Sequence, residues 1–351
     1  MEVVVFLPNW VGDLTMATPT LRALRRYFGP ATRMVGIIRP YLGDILKGTP
    51  WLDELWGFTP KSPASSERFW GVVKRIRQGR FDLAILLTNS LGTALLAALG
   101  GVRKRIGYAR DGRGWLLTDP IQPPRQGRRI LPTPMVDYYL RLAEAVGCPK
   151  EHPLLELATT PEDEKSADGV WQRFGWRPDE QPVVLNCSGA FGGSKLWPVE
   201  HFAQLAQRLV DHLGQKVLVF CGPKERETAG QIAELAGRDQ VRSMADQPMD
   251  FGTAKAVLRR ARLMVSTDSG PRHMAAAFGV PVVTLYGPLL PVWSQNPTQQ
   301  AIHLMVEGLD CLGCGRPRCP LGHHACIRRL SVDRVYQAVE QLLTARERQA
   351  A

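Results

Sequence analysis

The chain has 351 residues, of which 44% are hydrophobic and 22% charged. That length calls for two hydrophobic cores, and that balance excludes a disordered or low-complexity protein. The net charge of +11 is unevenly placed: residues 1–150 hold 22 Lys/Arg and 11 Asp/Glu, and residues 151–351 hold 22 of each, so the first half is expected to face something anionic unless it is simply a solvated surface.

Short apolar runs at residues 3–7, 34–38, 83–87, 183–185, 217–220, 263–265 and 282–285 alternate with amphipathic stretches. Strands this apolar, without strict alternation, predict parallel sheets covered by helices on both faces. The expected fold class is therefore α/β, with two doubly wound, Rossmann-like halves. The start runs directly into a strand pattern, without the basic leader and cleavage site of a secretory signal, which predicts a cytoplasmic protein. Residues 81–101 form the longest apolar stretch, but Asp82, Asn89, Ser90 and Gly92 interrupt it, so a strand, a turn and a buried helix are predicted rather than a membrane span.

The first strand leads into Pro8-Asn9-Trp10-Val11-Gly12-Asp13, with a helix starting at about Asp13. An aspartate in a first helical turn is held ionised by the helix dipole. At the carboxyl edge of a parallel sheet it sits where such folds bind ligands. Asp13 is thus either a general base or an ordinary helix-start aspartate. Further on, Arg103, Lys104, Arg105, Arg110, Arg113, Arg125, Arg128 and Arg129 are accompanied by only Asp111 and Asp119, a basic concentration that suits a phosphorylated lipid, a membrane surface or nucleic acid.

Residues 120–134 carry five prolines and read as an exposed loop ahead of an amphipathic helix, Met135–Val146. The short, proline-bounded stretch 178–182 reads as a hinge. The expected domains are 1–180 and 181–330, followed by a last helix within 331–351 that starts on Ser331 and lines up Val332, Val335, Val339 and Leu342.

In the second half, the segment from Cys187 and Ser188 through Gly189, Gly192 and Gly193 to Lys195-Leu196-Trp197-Pro198 suits a phosphate. It matches neither the Walker A nor the dinucleotide glycine spacing. Lys195 would neutralise charge on a departing diphosphate, or is a plain surface lysine. Glu225, in the loop after the next strand, suits a ribose or is an exposed helix-start residue. Most telling is Thr267-Asp268-Ser269-Gly270-Pro271-Arg272-His273. A buried strand ends, glycine turns the chain, and proline opens a helix whose free N–H groups form an anion site. A diphosphate fits there, with Ser269 and His273 facing it and Asp268 accepting from a sugar hydroxyl, although a merely structural strand-turn-helix has the same punctuation.

Four of the seven cysteines form Cys311-x2-Cys314-x4-Cys319-x6-Cys326, with His323 and His324 in the last gap. The spacing suits a structural zinc site, and reduced thiols or disulfides are the alternatives. Cys148, Cys187 and Cys221 read as isolated thiols.

Together, Asn9-Trp10-Val11-Gly12-Asp13, Arg105-Ile106-Gly107-Tyr108, Gly114-Trp115-Leu116-Leu117-Thr118-Asp119, Lys195-Leu196-Trp197-Pro198 and Asp268-Ser269-Gly270-Pro271-Arg272-His273 resemble the ADP-heptose lipopolysaccharide heptosyltransferases of glycosyltransferase family 9, most closely the heptosyltransferase II branch. The resemblance implies a GT-B fold with two Rossmann-like domains facing a cleft, the acceptor held by the first and the donor by the second, and a last helix returning to the first. By the same resemblance Asp13 is the catalytic base and Lys195 the diphosphate lysine. Ser188, Glu225, Met249, Asp268, Ser269, Gly270 and His273 contact the ADP-heptose donor. Asn9, Trp10, Arg103, Arg105, Arg110 and Arg113 face a phosphorylated lipopolysaccharide core at the inner face of the cytoplasmic membrane. The implied reaction is one inverting displacement, with no cofactor required. A sibling transferase using another nucleotide sugar is the nearest alternative. A zinc-containing nucleic-acid-binding protein is the remote one, disfavoured because the basic residues lack interleaved stacking aromatics.

Overall fold

The computed structural model describes every residue except Arg128, Ala190, Met249 and Ala351, and every described side chain except those of Gln349 and Ala350. The chain forms two compact units: Met1–Ala158 with Gln295–Pro297, and Thr159–Ser294 with Thr298–Ala351.

The first unit is built on a six-stranded parallel sheet: β1 (Glu2–Phe6), β2 (Arg33–Ile38), β3 (Glu54–Gly57), β4 (Leu83–Leu86), β5 (Lys104–Tyr108) and β6 (Asp119–Ile121), in the order β3-β2-β1-β4-β5-β6. Its helices are α1 (Val11–Met16), α2 (Thr18–Phe28), α3 (Gly43–Leu46), α4 (Phe69–Gly79), α5 (Leu91–Leu99) and α6 (Met135–Val146). Val3, Val4 and Val5 and all of β4 are buried, as expected of strands covered on both faces. The arginine-rich stretch read as a loop contains a small antiparallel pair, β7 (Arg125–Gln126) with β8 (Arg129–Ile130).

The second unit repeats the plan. β9 (Val183–Asn186), β10 (Val217–Phe220), β11 (Val241–Ser243), β12 (Leu263–Thr267), β13 (Val282–Tyr286) and β14 (Ala301–Met305) form a parallel sheet ordered β11-β10-β9-β12-β13-β14. The helices are α7 (Pro161–Phe174), α8 (Val199–Leu213), α9 (Arg226–Ala236), α10 (Phe251–Arg259), α11 (Gly270–Ala277), α12 (Ala325–Arg328) and α13 (Val332–Ala350). Both sheets share the strand order in which the winding reverses beside the first strand, and loops leaving the carboxyl ends at that reversal are where doubly wound folds bind ligands. In the first unit these loops follow β1 and β4. In the second they follow β9 and β12.

The division between the units falls before α7, not near residue 180 as the proline-bounded stretch suggests. α7 opens with a capping box between Thr160 and Asp163. Asp163 lies 3.3 Å from the Nζ of the wholly buried Lys255 on α10, and Glu164 pairs with Arg259 and Arg260 at 2.9 and 2.8 Å. Burial alone would raise the Glu164 carboxyl, but hydrogen bonds from Arg259 and Arg260 bring it down to about 2. On the other side, Arg22 of α2 holds residues 151–156 to the first unit through Glu156 at 3.0 Å and the His152 carbonyl at 2.8 Å.

The last helix also departs from expectation. α13 buries Val335 and Val339 against α8 and strands β12, β13 and β14 of its own unit, and just ahead of it the Leu330 carbonyl accepts a bond from Trp197 Nε1 at 2.9 Å. The resemblance sends this helix to the first domain; the contacts assign it to the second. Among the described residues no helix is long and apolar enough to cross a membrane.

Candidate active site

Asp13 is the third residue of α1, in its first turn and half-buried. Tyr139 Oη, from α6, donates to Asp13 Oδ1 at 3.0 Å. Burial, reinforced by the negative charge of Asp13, pushes the Tyr139 hydroxyl well above its ordinary value, so the phenol stays a hydrogen-bond donor and fixes the carboxylate's direction. Tyr139 was not foreseen as a site residue. Its only sequence signal is its place on the amphipathic helix Met135–Val146. Asn9 and Trp10 are exposed on the loop ahead of Asp13, and the Asn9 carbonyl accepts from Tyr41 Oη at 2.9 Å.

The arginines expected at an acceptor surface divide. Arg113 is wholly buried: its Nε donates to the Tyr108 carbonyl at 3.0 Å, its Nη2 to Asn89 Oδ1 at 3.1 Å, and its Nη1 to the Thr88 carbonyl. Burial lowers its guanidinium to about 10, which leaves it charged at neutral pH. It cannot touch an acceptor; it pins the loop after β4 to the end of β5. Arg105 is half-buried and spends its donors on the carbonyls of Leu116 and Val102, at 2.7 and 2.6 Å. Arg103 is exposed. Arg110 is half-buried, with its Nε lacking a partner among the described residues.

In the second unit, Lys195 and Asp268 form an ion pair that the sequence reading does not anticipate, and Lys195 is held more tightly than a surface lysine would be. Lys195 is buried, and its Nζ donates to Asp268 Oδ2 at 2.8 Å and to the Asp268 carbonyl at 2.7 Å. The Phe191 ring lies 4.7 Å from the same nitrogen. Arg272, one turn along α11, donates to Asp268 Oδ1 through Nε and Nη2 at 3.2 and 3.0 Å, and Ser294 Oγ donates to Oδ1 at 2.8 Å. Arg272 Nη2 also reaches the Tyr286 hydroxyl at 3.0 Å and the Ser294 carbonyl at 2.7 Å. Burial would raise the Asp268 carboxyl; the charges of Arg272 and Lys195 outweigh it and hold the group well below the usual carboxylate range. The motif places Arg272 at this helix start, but its bonds to Asp268 and Ser294 are not visible at the level of sequence.

Asn186, the last residue of β9, organises the helix start. Its Nδ2 donates to the hydroxyls of Ser266 and Ser269, both at 2.8 Å, and its Oδ1 accepts from Ser188 Oγ at 2.7 Å. Ser269 has extended backbone and makes no side-chain cap to α11. The first N–H groups of the helix are thus not satisfied by that hydroxyl, which is the arrangement of an anion site. His273 is buried. Burial first, then the positive charge of Arg272, push its imidazole well below the ordinary value, so it is neutral and supplies no cation to a diphosphate. Glu225 is the N-cap residue of α9, half-buried beside Gly222, and its side chain makes no cap bond to the helix. Met249 lies outside the described residues.

All seven cysteines are unpaired, so none of the disulfides weighed from the sequence forms. Among the described residues no three His, Cys, Asp or Glu side chains gather closely enough to hold a metal ion, which leaves the structural zinc at Cys311, Cys314, Cys319 and Cys326 without support. Cys314 is exposed, Cys326 is buried, and the other two are in between. Burial, with the charge of Glu225 adding to it, pushes the Cys221 thiol up to about 12; this thiol is not a nucleophile at neutral pH.

Two Rossmann-like units, with an ionised lysine–aspartate–arginine group at a helix start in one and an oriented carboxylate at the equivalent edge of the other, define the GT-B class of glycosyltransferase. Within that class the chain belongs to glycosyltransferase family 9 (heptosyltransferase), whose family model matches residues 69–325. That span takes in Lys195 and the 268–273 segment and leaves Asp13 outside. Lipopolysaccharide heptosyltransferase 2 of Escherichia coli K12 is 27% identical over 99% of this chain and 100% of its own length. The lipooligosaccharide heptosyltransferase 2 of Haemophilus ducreyi is 28% identical, covering 98% and 99%. Among solved structures, a family 9 glycosyl transferase from Veillonella parvula superposes with a TM-score of 0.81 at 25% identity, covering 98% of this chain and 97% of its own. E. coli ADP-heptose heptosyltransferase II shares the fold with a TM-score of 0.78 at 23% identity, over 99% and 100% of the two chains.

Proposed function

We propose that this protein transfers heptose from ADP-heptose to a heptose of the lipopolysaccharide inner core, with the second unit holding the donor and the first the acceptor; the similar proteins named lipopolysaccharide heptosyltransferase 2 and ADP-heptose heptosyltransferase II support the sugar, its donor and the lipopolysaccharide. The observation that carries the reading is the buried Lys195–Asp268–Arg272 group at the start of α11. In it a cation and free helix N–H groups stand together on a neutralised carboxylate. A diphosphate entering there draws Lys195 toward itself, while Arg272 and Ser294 keep Asp268 in place through Oδ1, so that Oδ2 becomes available to a hydroxyl of the donor. Ser188 and Ser269, aligned by Asn186, complete the polar lining.

Asp13, aimed by Tyr139, takes the proton of the acceptor hydroxyl as that oxygen attacks the anomeric carbon of the donor from the face opposite the diphosphate. The bond to ADP breaks with inversion. Lys195 and the α11 amides stabilise the charge developing on the leaving group. The working place proposed is the inner face of the cytoplasmic membrane. The test is ADP release by the purified protein offered ADP-heptose and, separately, other nucleotide sugars, with the product on a heptose-terminated core weighed by mass spectrometry. Turnover of another nucleotide sugar in preference to ADP-heptose would transfer the assignment to a sibling activity.

A further inference from the structure

The loop between β14 and α12 carries Cys314-Gly315-Arg316-Pro317-Arg318-Cys319, and it is fastened to the glycine-rich loop that precedes Lys195. Ser194 Oγ donates to the Arg316 carbonyl at 2.7 Å and Ser194 N to the Pro317 carbonyl at 3.3 Å. Gly192 stands at φ 139°, and a Cβ on it would lie 2.5 Å from the Pro317 carbonyl oxygen. Only glycine lets the two loops close on each other.

Where they meet, Phe191, Gly192, Gly193, Arg316, Pro317 and Arg318 line a cavity of about 590 Å³, within the usual size of a small-molecule pocket. It shares a wall with the diphosphate lysine, since the Phe191 ring that lines it also packs on Lys195 Nζ. Both arginines are exposed. Unlike Arg272, neither has a carboxylate within 4 Å among the described residues. Pro317 fixes its own backbone angle and biases Arg316 to extended geometry, so the Arg-Pro-Arg tip gives up little freedom when it binds. Two unpaired guanidinium forks in one concave wall suit a phosphate, whose oxygens accept paired N–H donors.

We infer that Arg316 and Arg318 form a phosphate subsite continuous with the glycine-rich loop, occupied during transfer by a phosphate group of one of the two substrates. The inference rests on the proposed reading of that loop as the donor's diphosphate cradle. It is tested on the full chain with R316Q/R318Q, which alters only exposed side chains. Kd for ADP, adenosine and inorganic pyrophosphate is measured by calorimetry, together with KM for ADP-heptose and for a phosphorylated and a phosphatase-treated core acceptor.

If the phosphate is the donor's, Kd for ADP and pyrophosphate and KM for ADP-heptose rise roughly tenfold, while adenosine binding holds. If it is the acceptor's, ADP and pyrophosphate bind unchanged and only KM for the phosphorylated core rises by a similar factor. Either result supports the subsite, and R316K/R318K, which keeps the charge without the fork, falls in between. All constants within about twofold of wild type overturn it. The parent reading fails separately: if K195A binds ADP as well as wild type does, the loop is not the donor's cradle, and the responses of pyrophosphate and of KM for the phosphorylated core to R316Q/R318Q still decide the arginines.

Discussion

Asp268 is surrounded by three donors that all favour its charged form, Lys195, Arg272 and Ser294, and its stability contribution follows from that. Its folded pKa is depressed, so the contribution is fully present above the unfolded value of about 3.9 and is lost as pH falls from there toward the folded value. Asp268→Asn leaves two buried cations facing each other and should cost about 3–5 kcal/mol at pH 7. Urea unfolding of wild type and variant should show a gap that is constant above about pH 5 and narrows below about pH 4; a gap indifferent to pH would mean that the carboxylate is not held ionised by its neighbours. At Asp13 the expected effect is catalytic. Tyr139→Phe removes the donor that aims the base, and kcat should fall about tenfold with donor KM unchanged, the loss of one charge-assisted hydrogen bond. A rise in donor KM with kcat intact would remove Tyr139 from that role.

At the scale of elements, the central strands β1, β2, β4, β9, β10, β12 and β13 and the two site loops were legible because burial on both faces writes itself as unbroken apolar runs, and because a glycine and a proline mark the start of α11; the shorter or more polar β3, β5, β6, β11 and β14 carry no such run. What was not legible depends on partners distant in the chain. α7 looks the same in sequence whether it closes the first unit or opens the second; Lys255, Arg259 and Arg260 decide it. Arg113 reads as one more member of a basic cluster, yet the carbonyls of Tyr108 and Thr88 draw it inside. The apolar stripe of α13 was plain, but a stripe does not say what it packs on. Since Val339 is buried against the second unit, Val339→Asp should destabilise that unit by about 3 kcal/mol or more. In a thermal melt the transition protected by added ADP should move down; if only the unprotected part of the melt moves, the helix belongs with the first unit after all.

For the whole molecule, the observed division keeps most of the charge asymmetry. The first unit holds 22 basic and 13 acidic residues and the second 22 and 20. Burial of Arg113 and the internal bonds of Arg105 remove two cations from the surface, while Arg103, Arg125 and Arg129 remain exposed. The same unit carries three very exposed tryptophans, Trp10 at 60%, Trp70 at 70% and Trp115 at 75%, a side chain suited to the headgroup layer of a bilayer. Basic charge and exposed indoles on one unit fit an enzyme that meets a lipid-anchored acceptor at a membrane surface. Each Lys or Arg near an anionic bilayer contributes about 1 kcal/mol, and salt screens it. The protein should therefore sediment with vesicles containing anionic phospholipid at low salt and be released at high salt. R125E/R129E, which reverses two charges, should weaken that binding at least about tenfold without changing Kd for ADP. Equal binding to neutral vesicles, or binding indifferent to salt, would mean that the basic surface serves the soluble part of the acceptor and not the membrane.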